Sequence, residues 1–90
     1  MLLKKYKVVA PNGIHARSAT ILVNEAVKYE SEVELGINDN FVDCKSIIGV
    51  MSLGIYLGAI VFIKTTGKDE EEAINGLDSI IKEHKLAEEI

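Results

Sequence analysis

Two long segments of this sequence have the apolar spacing of an amphipathic helix, and short segments with a different spacing separate them. From residue 16 to about residue 29, apolar residues recur at intervals of three and four: Ala19, Leu22, Val23 and Ala26. After Asp69 the same spacing is formed by Ala73, Ile74, Leu77, Ile80 and Ile81. Each helix therefore has one apolar stripe, and both stripes need a common partner to bury them.

The partner is predicted to be a β-sheet. Two-residue alternation or β-branched residues mark four strands, at residues 2–9, 32–37, 41–44 and 60–66. Asn38, Asp39 and Asn40 predict a hairpin turn between the second and third strands. A short helix between the two long ones is predicted to begin after Ser46, its N-cap, and to end before Gly54. The order βαββαβα predicts an α+β open-faced sandwich, in which helices cover one face of a four-stranded antiparallel sheet.

The last helix has a start signal and one unexplained residue. Asp69 followed three residues later by Glu72 predicts a capping box, and Glu70 and Glu71 suit the positive end of the helix. Gly76 lies in the middle of this helix, where glycine costs about 1 kcal/mol relative to alanine. The sequence offers no reason for it.

Length and charge exclude several classes of protein. Ninety residues predict one domain, spanning residues 1–90. A net charge of −4 argues against direct nucleic-acid binding. The chain has neither the roughly 18 apolar residues of a membrane span nor the apolar core of a signal peptide, so we expect a cytoplasmic protein with no membrane partner. Cys44 has no metal-type spacing with the histidines, and we predict no metal site and no cofactor.

A histidine and an arginine lie where the first predicted helix begins, within the segment Gly13 to Ser18. Neutral imidazole is a nucleophile, and a phosphoryl group on His15 would be stabilised by Arg17 and by the free N–H groups of a helix start. Those N–H groups belong to Ala16, Arg17 and Ser18. The alternative is that His15 only caps the helix and Arg17 is a solvated charge.

Two further sets of side chains are predicted to face solvent near this segment. Thr20 and Asn24 fall on the side of the first helix opposite its apolar stripe. In the short helix, Val50 and Leu53 are expected to point inward, which leaves Ile47 and Met51 outside as an apolar docking patch. Cys44 is expected to be an inert, partly buried residue, and His84 a surface residue.

The segments GIHAR (13–17) and KSIIGVMSLG (45–54) resemble the HPr family, the histidine-containing phosphocarriers of the bacterial phosphoenolpyruvate:sugar phosphotransferase system. The resemblance implies the sheet order 1-4-2-3. It also implies that His15 accepts a phosphoryl group from enzyme I, charged by phosphoenolpyruvate, and passes it to the IIA domains of sugar permeases with help from Arg17. Such a protein is a stoichiometric relay rather than a turnover enzyme, and we expect a monomer. One residue departs from the family pattern, because Ser18 stands where proline is usual.

The resemblance gives Ser46 a second role besides its cap, which by itself is worth about 1 kcal/mol. It implies phosphorylation by HPr kinase/phosphorylase and, through a catabolite-control transcription regulator, carbon catabolite repression. The residues expected at the docking surface for partners are Thr20, Asn24, Ile47, Ile48 and Met51. An alternative function is that of an HPr paralogue acting mainly as a regulatory protein-binding module.

Overall fold

Five antiparallel strands and three helices form the molecule in this computed structural model, which describes all residues 1–90. The elements are β1 (Leu2–Val8), α1 (Ala16–Ala26), β2 (Glu32–Ile37), β3 (Asn40–Asp43), α2 (Ile47–Ser52), β4 (Ile60–Thr66), α3 (Glu70–Glu83) and β5 (Ala87–Glu89). The predicted α+β open sandwich is confirmed, although α1 ends three residues earlier than predicted.

The sheet has the order β3-β2-β4-β1-β5, which contains the expected order 1-4-2-3 and adds one strand. The added strand, β5, lies antiparallel to β1 and pairs Ala87 with Val8 and Glu89 with Tyr6. Its attachment is reinforced by Lys82 of α3, which lies 3.4 Å from Glu89 and 2.9 Å from Asp78. The prediction of four strands was therefore one short, because a strand of three residues shows no alternation.

The core lies between the sheet and the helices, and the predicted stripes are confirmed in both layers. Inward-facing strand residues alternate with exposed ones, as in β1, where Tyr6 and Val8 are buried between exposed lysines. The helix stripes bury their predicted residues, except that Ile80 is only partly buried. Asn38 and Asp39 have φ values of 50° and 68°, as the tight turn between β2 and β3 requires. No helix is long and apolar enough to cross a bilayer.

The predicted capping box at the start of α3 is wrong. Asp69 occupies the N-cap position, but its side chain makes no hydrogen bond to the helix. Instead, its carboxylate accepts hydrogen bonds from the Ser31 hydroxyl, from the Ser31 N–H at 2.9 Å and from the Glu30 N–H at 3.0 Å. These donors hold the pKa of the Asp69 carboxyl below its ordinary value. Asp69 thus fastens the entry to β2 onto the start of α3.

The presence of glycine at position 76 is explained by two side chains that lie against it, one from α1 and one from the turn after α1. The Tyr29 hydroxyl donates a 2.7 Å hydrogen bond to Glu25, which raises the pKa of Tyr29 to about 12. A Cβ atom on residue 76 would overlap the Tyr29 hydroxyl oxygen and lie 2.7 Å from a Glu25 carboxylate oxygen. Glycine therefore leaves room for these two hydrogen-bonded side-chain ends against α3.

Gly76→Ala is accordingly expected to destabilise the protein by about 1–3 kcal/mol, despite the higher helix propensity of alanine. The free energy of unfolding in urea measures this effect. In a Tyr29→Ala background the obstacle is gone, so the same Gly76→Ala change should be neutral or stabilising. Destabilisation of equal size in both backgrounds would show that Tyr29 is not the cause.

Candidate phosphoryl-transfer site

The loop before α1 is held in place by backbone contacts with the turn that follows α2. Gly13 has φ of 66° and donates its N–H to the Ala10 carbonyl at 2.9 Å. Ile14 donates its N–H to the Ile55 carbonyl at 3.1 Å, and its side chain packs against the core. These contacts fix the position of the backbone that leads into the next residue, at the start of α1.

That residue, His15, is the N-cap of α1 and is exposed to solvent. Its backbone is extended (φ −117°, ψ −170°), and its Nδ1 accepts the Arg17 N–H at 3.4 Å. His15 therefore caps the helix, as the alternative interpretation of the sequence expected. The cap also has a chemical consequence, because an accepting Nδ1 directs its lone pair toward the free N–H groups of the helix start.

Ser18 makes contacts that its sequence position did not reveal. Its side chain is only 3% exposed, and its Oγ accepts the His15 N–H at 3.0 Å. The same hydroxyl is placed to donate to the His15 carbonyl at 3.2 Å. The sequence predicted only a backbone donor at Ser18, and the structure adds a hydroxyl that bonds the backbone of His15. The sequence pattern that could have predicted this contact is a hydroxyl residue three positions after an N-cap.

The remaining residues predicted around His15 lie on the solvent side of α1. Arg17 is exposed, and its guanidinium makes no ion pair within the chain, so its charge is available to an external anion. Thr20 is exposed and donates its hydroxyl to the Ala16 carbonyl at 2.8 Å. Asn24 is exposed one turn further along the helix. These residues form one continuous polar edge of α1.

The short helix α2 carries the second predicted set of residues. The Ser46 side chain accepts the Gly49 N–H at 3.1 Å, as expected of an N-cap. Val50 is buried and Leu53 partly buried, as predicted. The outward residues form what we call the α2 patch, with exposed fractions of 44% for Ile47, 82% for Ile48 and 42% for Met51.

Tyr56 and Leu57 are two further exposed apolar residues, in the turn after α2, and they were not predicted from the sequence. Both side chains are more than half exposed, in the turn that bonds to the His15 loop. A Cβ on Gly13 would lie 2.9 Å from the Tyr56 Cα, so this turn is directly beside the loop. Their exposure could have been predicted from the sequence, because an aromatic residue and a leucine lie in a turn bounded by Gly54 and Gly58.

Two reactive residue types lie outside the site. Cys44 is completely buried, and burial raises the pKa of its thiol to about 12, which keeps it protonated and unreactive. This is a deeper burial than the partly buried position expected for it. His84, at the end of α3, is exposed as expected. His15 is therefore the histidine that the fold places beside a helix start.

The family model described as "PTS HPr component phosphorylation site" matches residues 3–83. The chain belongs to the HPr family. This confirms the predicted resemblance to the HPr phosphocarriers of the phosphotransferase system.

Solved structures of HPr proteins share the whole fold. The histidine-containing phosphocarrier protein of Mycoplasma is 28% identical, with a TM-score of 0.93 over 96% of this chain and 98% of its own. HPr from Bacillus anthracis is 36% identical, with a TM-score of 0.79 over 87% of this chain and 93% of its own. Crh of Bacillus subtilis, a catabolite-repression protein that forms a swapped dimer, is 36% identical with a TM-score of 0.72, over 92% of this chain and 95% of its own.

Proposed function

We propose that His15 accepts a phosphoryl group from enzyme I, charged by phosphoenolpyruvate, and transfers it to IIA domains of sugar permeases. The observation that carries the proposal is the position of His15 as N-cap of α1, with Nδ1 facing the Arg17 N–H at 3.4 Å. A phosphoryl group on Nδ1 would lie at the positive end of an eleven-residue helix. Membership of the HPr family supports the same assignment.

In the transfer, the Nδ1 lone pair forms the bond to phosphorus while the bond from phosphorus to the donor breaks and the donor keeps that electron pair. The imidazole proton stays on Nε2. The phosphoryl oxygens accept hydrogen bonds from the N–H groups of Ala16, Arg17 and Ser18, and the unpaired guanidinium of Arg17 offsets their charge. Transfer to a IIA domain is the reverse step with a new acceptor, so the protein is a relay with no turnover of its own.

Partners are proposed to dock on the outer side of α1 and on the α2 patch. Thr20 and Asn24 supply polar contacts beside His15, and Ile47, Ile48 and Met51 supply exposed apolar area. Enzyme I and the IIA domains would use this surface in turn, which suits a monomer. Since the phosphoryl donor originates from phosphoenolpyruvate, we place the protein in the cytoplasm.

Phosphorus NMR after incubation with phosphoenolpyruvate and enzyme I tests the proposal directly. The expected result is one phosphohistidine signal that disappears when a IIA domain is added. Growth of a carrier-deficient strain on phosphotransferase sugars provides the complementary test. The absence of a phosphohistidine signal from folded protein would overturn the carrier assignment.

Ser46 is proposed to be a regulatory phosphorylation site for HPr kinase/phosphorylase, acting with a catabolite-control transcription regulator. Its partly exposed hydroxyl caps α2 beside the α2 patch, so a phosphate there would add nearly two negative charges next to Ile47. Intact-mass measurement with the kinase should show one phosphate on the wild type and none on Ser46→Ala. Equal uptake by both proteins would refute the site.

Ser46→Asp is expected to raise the KM for transfer from enzyme I by about tenfold, because the carboxylate opposes docking on the adjacent apolar patch. Aspartate is itself a good N-cap, so α2 should stay folded. Ser46→Asn is the matched control, since it caps equally well without charge and should transfer like the wild type. If the two variants had the same KM, the charge would not be the cause.

The similarity to Crh favours a second candidate function, that of a regulatory binding module. Such a protein would keep Ser46 and the α2 patch and would not relay sugar phosphate. The exposed His15 and unpaired Arg17 favour the carrier. Complementation separates the two: the carrier restores growth on phosphotransferase sugars, and the regulatory module does not.

A further inference from the structure

We propose that Ser18 is a positioning residue for phosphoryl transfer, because its buried hydroxyl bonds both the N–H and the carbonyl of His15. The inference rests on the proposed function of His15. Ser18 Oγ lies 3.0 Å from the His15 nitrogen and 3.2 Å from the His15 oxygen. One side chain thus holds both peptide groups that flank the nucleophile.

These two bonds restrain the backbone torsions that aim the imidazole. The direction of the His15 Cα–Cβ bond follows from its φ and ψ, which are −117° and −170°. The His15 carbonyl also accepts the helical hydrogen bond from the Ala19 N–H at 2.8 Å, whereas the His15 N–H is bonded only by the Ser18 hydroxyl. The imidazole itself is held by the Arg17 N–H, and that bond is long at 3.4 Å. The side chain of His15 is exposed, so no packing fixes its rotamer. The Ser18 hydroxyl therefore restrains Nδ1 through the backbone, because it holds the His15 N–H in the geometry in which the Arg17 bond to Nδ1 forms.

Burial makes this restraint effective. Ser18 is 3% exposed, so water does not compete for its hydroxyl. Loss of the hydroxyl leaves the His15 N–H without a partner within the chain, while the His15 carbonyl keeps its bond from the Ala19 N–H. A proline at this position would provide neither the hydroxyl nor the N–H that Ser18 contributes to the helix start. In this chain, a side-chain hydrogen bond therefore restrains the start of α1.

Orientation matters because a misplacement of about 1 Å in a reacting group lowers a rate by about 100-fold. Ser18→Ala should keep the docking surface intact, since Ser18 faces inward and Thr20 and Asn24 face outward. The expected effect is a kcat for transfer from enzyme I that falls about tenfold, while KM stays within about twofold. Ser18→Thr, which keeps the hydroxyl, should recover most of the lost kcat.

Two controls separate positioning from stability. Ser31→Ala removes another buried serine hydroxyl, which bonds Asp69 beyond the opposite end of α1. It should weaken the fold to a similar extent and leave kcat unchanged. Three-bond couplings of the His15 β-protons in the free protein provide a second readout. One χ1 rotamer is expected in the wild type and Ser18→Thr, and averaged couplings in Ser18→Ala.

The outcomes distinguish this inference from the function it rests on. If the wild type forms phosphohistidine and Ser18→Ala transfers with the same kcat and the same single rotamer, the positioning role of Ser18 is overturned while the carrier function stands. A loss of kcat equally large in Ser31→Ala would also overturn it, because the effect would then be one of stability. If the wild type forms no phosphohistidine, the carrier function fails and the role of Ser18 fails with it.

Discussion

Replacement of His15 by alanine is expected to abolish phosphate uptake from enzyme I, with a rate loss of more than about 1,000-fold. In the proposed mechanism His15 supplies the attacking lone pair, and Arg17 and the N–H groups of the helix start only stabilise the transferred group. Neither of these has a nucleophile to replace imidazole. Phosphorus NMR and a growth test in a carrier-deficient strain should both report complete loss.

The alanine variant also loses the cap of α1, so a second variant is needed to isolate the chemistry. Asparagine is among the best N-cap residues, and His15→Asn should keep the helix stable while remaining unphosphorylated. His84→Ala provides the opposite control, since His84 is exposed at the far end of α3 and should not affect uptake. Phosphate uptake by His15→Asn would contradict the assignment of the nucleophile.

The four longer strands and the two long helices were predictable because their hydrophobic periodicities extend over six or more residues, or are bounded by strong turn residues. The last strand was not. Lys85 turns the chain from α3 into β5 with φ of 52°, a conformation usually signalled by glycine or asparagine. With no turn signal at Lys85 and only three residues in β5, nothing in the sequence separated this segment from the end of the helix.

The positions of the candidate residues and the caps at His15 and Ser46 were predictable from the sequence, whereas the hydrogen bonds of Ser18 and Asp69 were not. Helix periodicity placed His15 at the start of α1 and Thr20 and Asn24 on its outer side, where the structure has them. The partners of side chains depend on contacts across the fold, as Asp69 shows: it had the spacing of a capping box and instead bonds Ser31, thirty-eight positions earlier in the chain. The reason for glycine at position 76 is likewise a contact across the fold, with the side chain of Tyr29.

Gly13→Ala is expected to have the largest effect on stability of any single methyl addition in the site, about 2–4 kcal/mol. Two causes act together at this residue. Its φ of 66° is costly for any residue with a Cβ, and a Cβ there would overlap the Ile55 carbonyl oxygen. That oxygen also accepts the Ile14 N–H at 3.1 Å, so a displacement of the loop breaks the bond that fixes the entry to His15.

Gly54→Ala separates the two causes, because Gly54 has a similar φ of 58° and no atom within 4 Å of the added Cβ. It should carry only the backbone cost, about 1–2 kcal/mol. The difference between the two variants in urea unfolding then measures the contact between the His15 loop and the turn after α2. If Gly13→Ala and Gly54→Ala were equally destabilising, that contact would contribute nothing to the placement of the loop. Gly13→Ala is expected to lose more unfolding free energy than Gly54→Ala and to transfer phosphoryl groups more slowly. That result would show that the turn after α2, as well as α1 itself, positions His15.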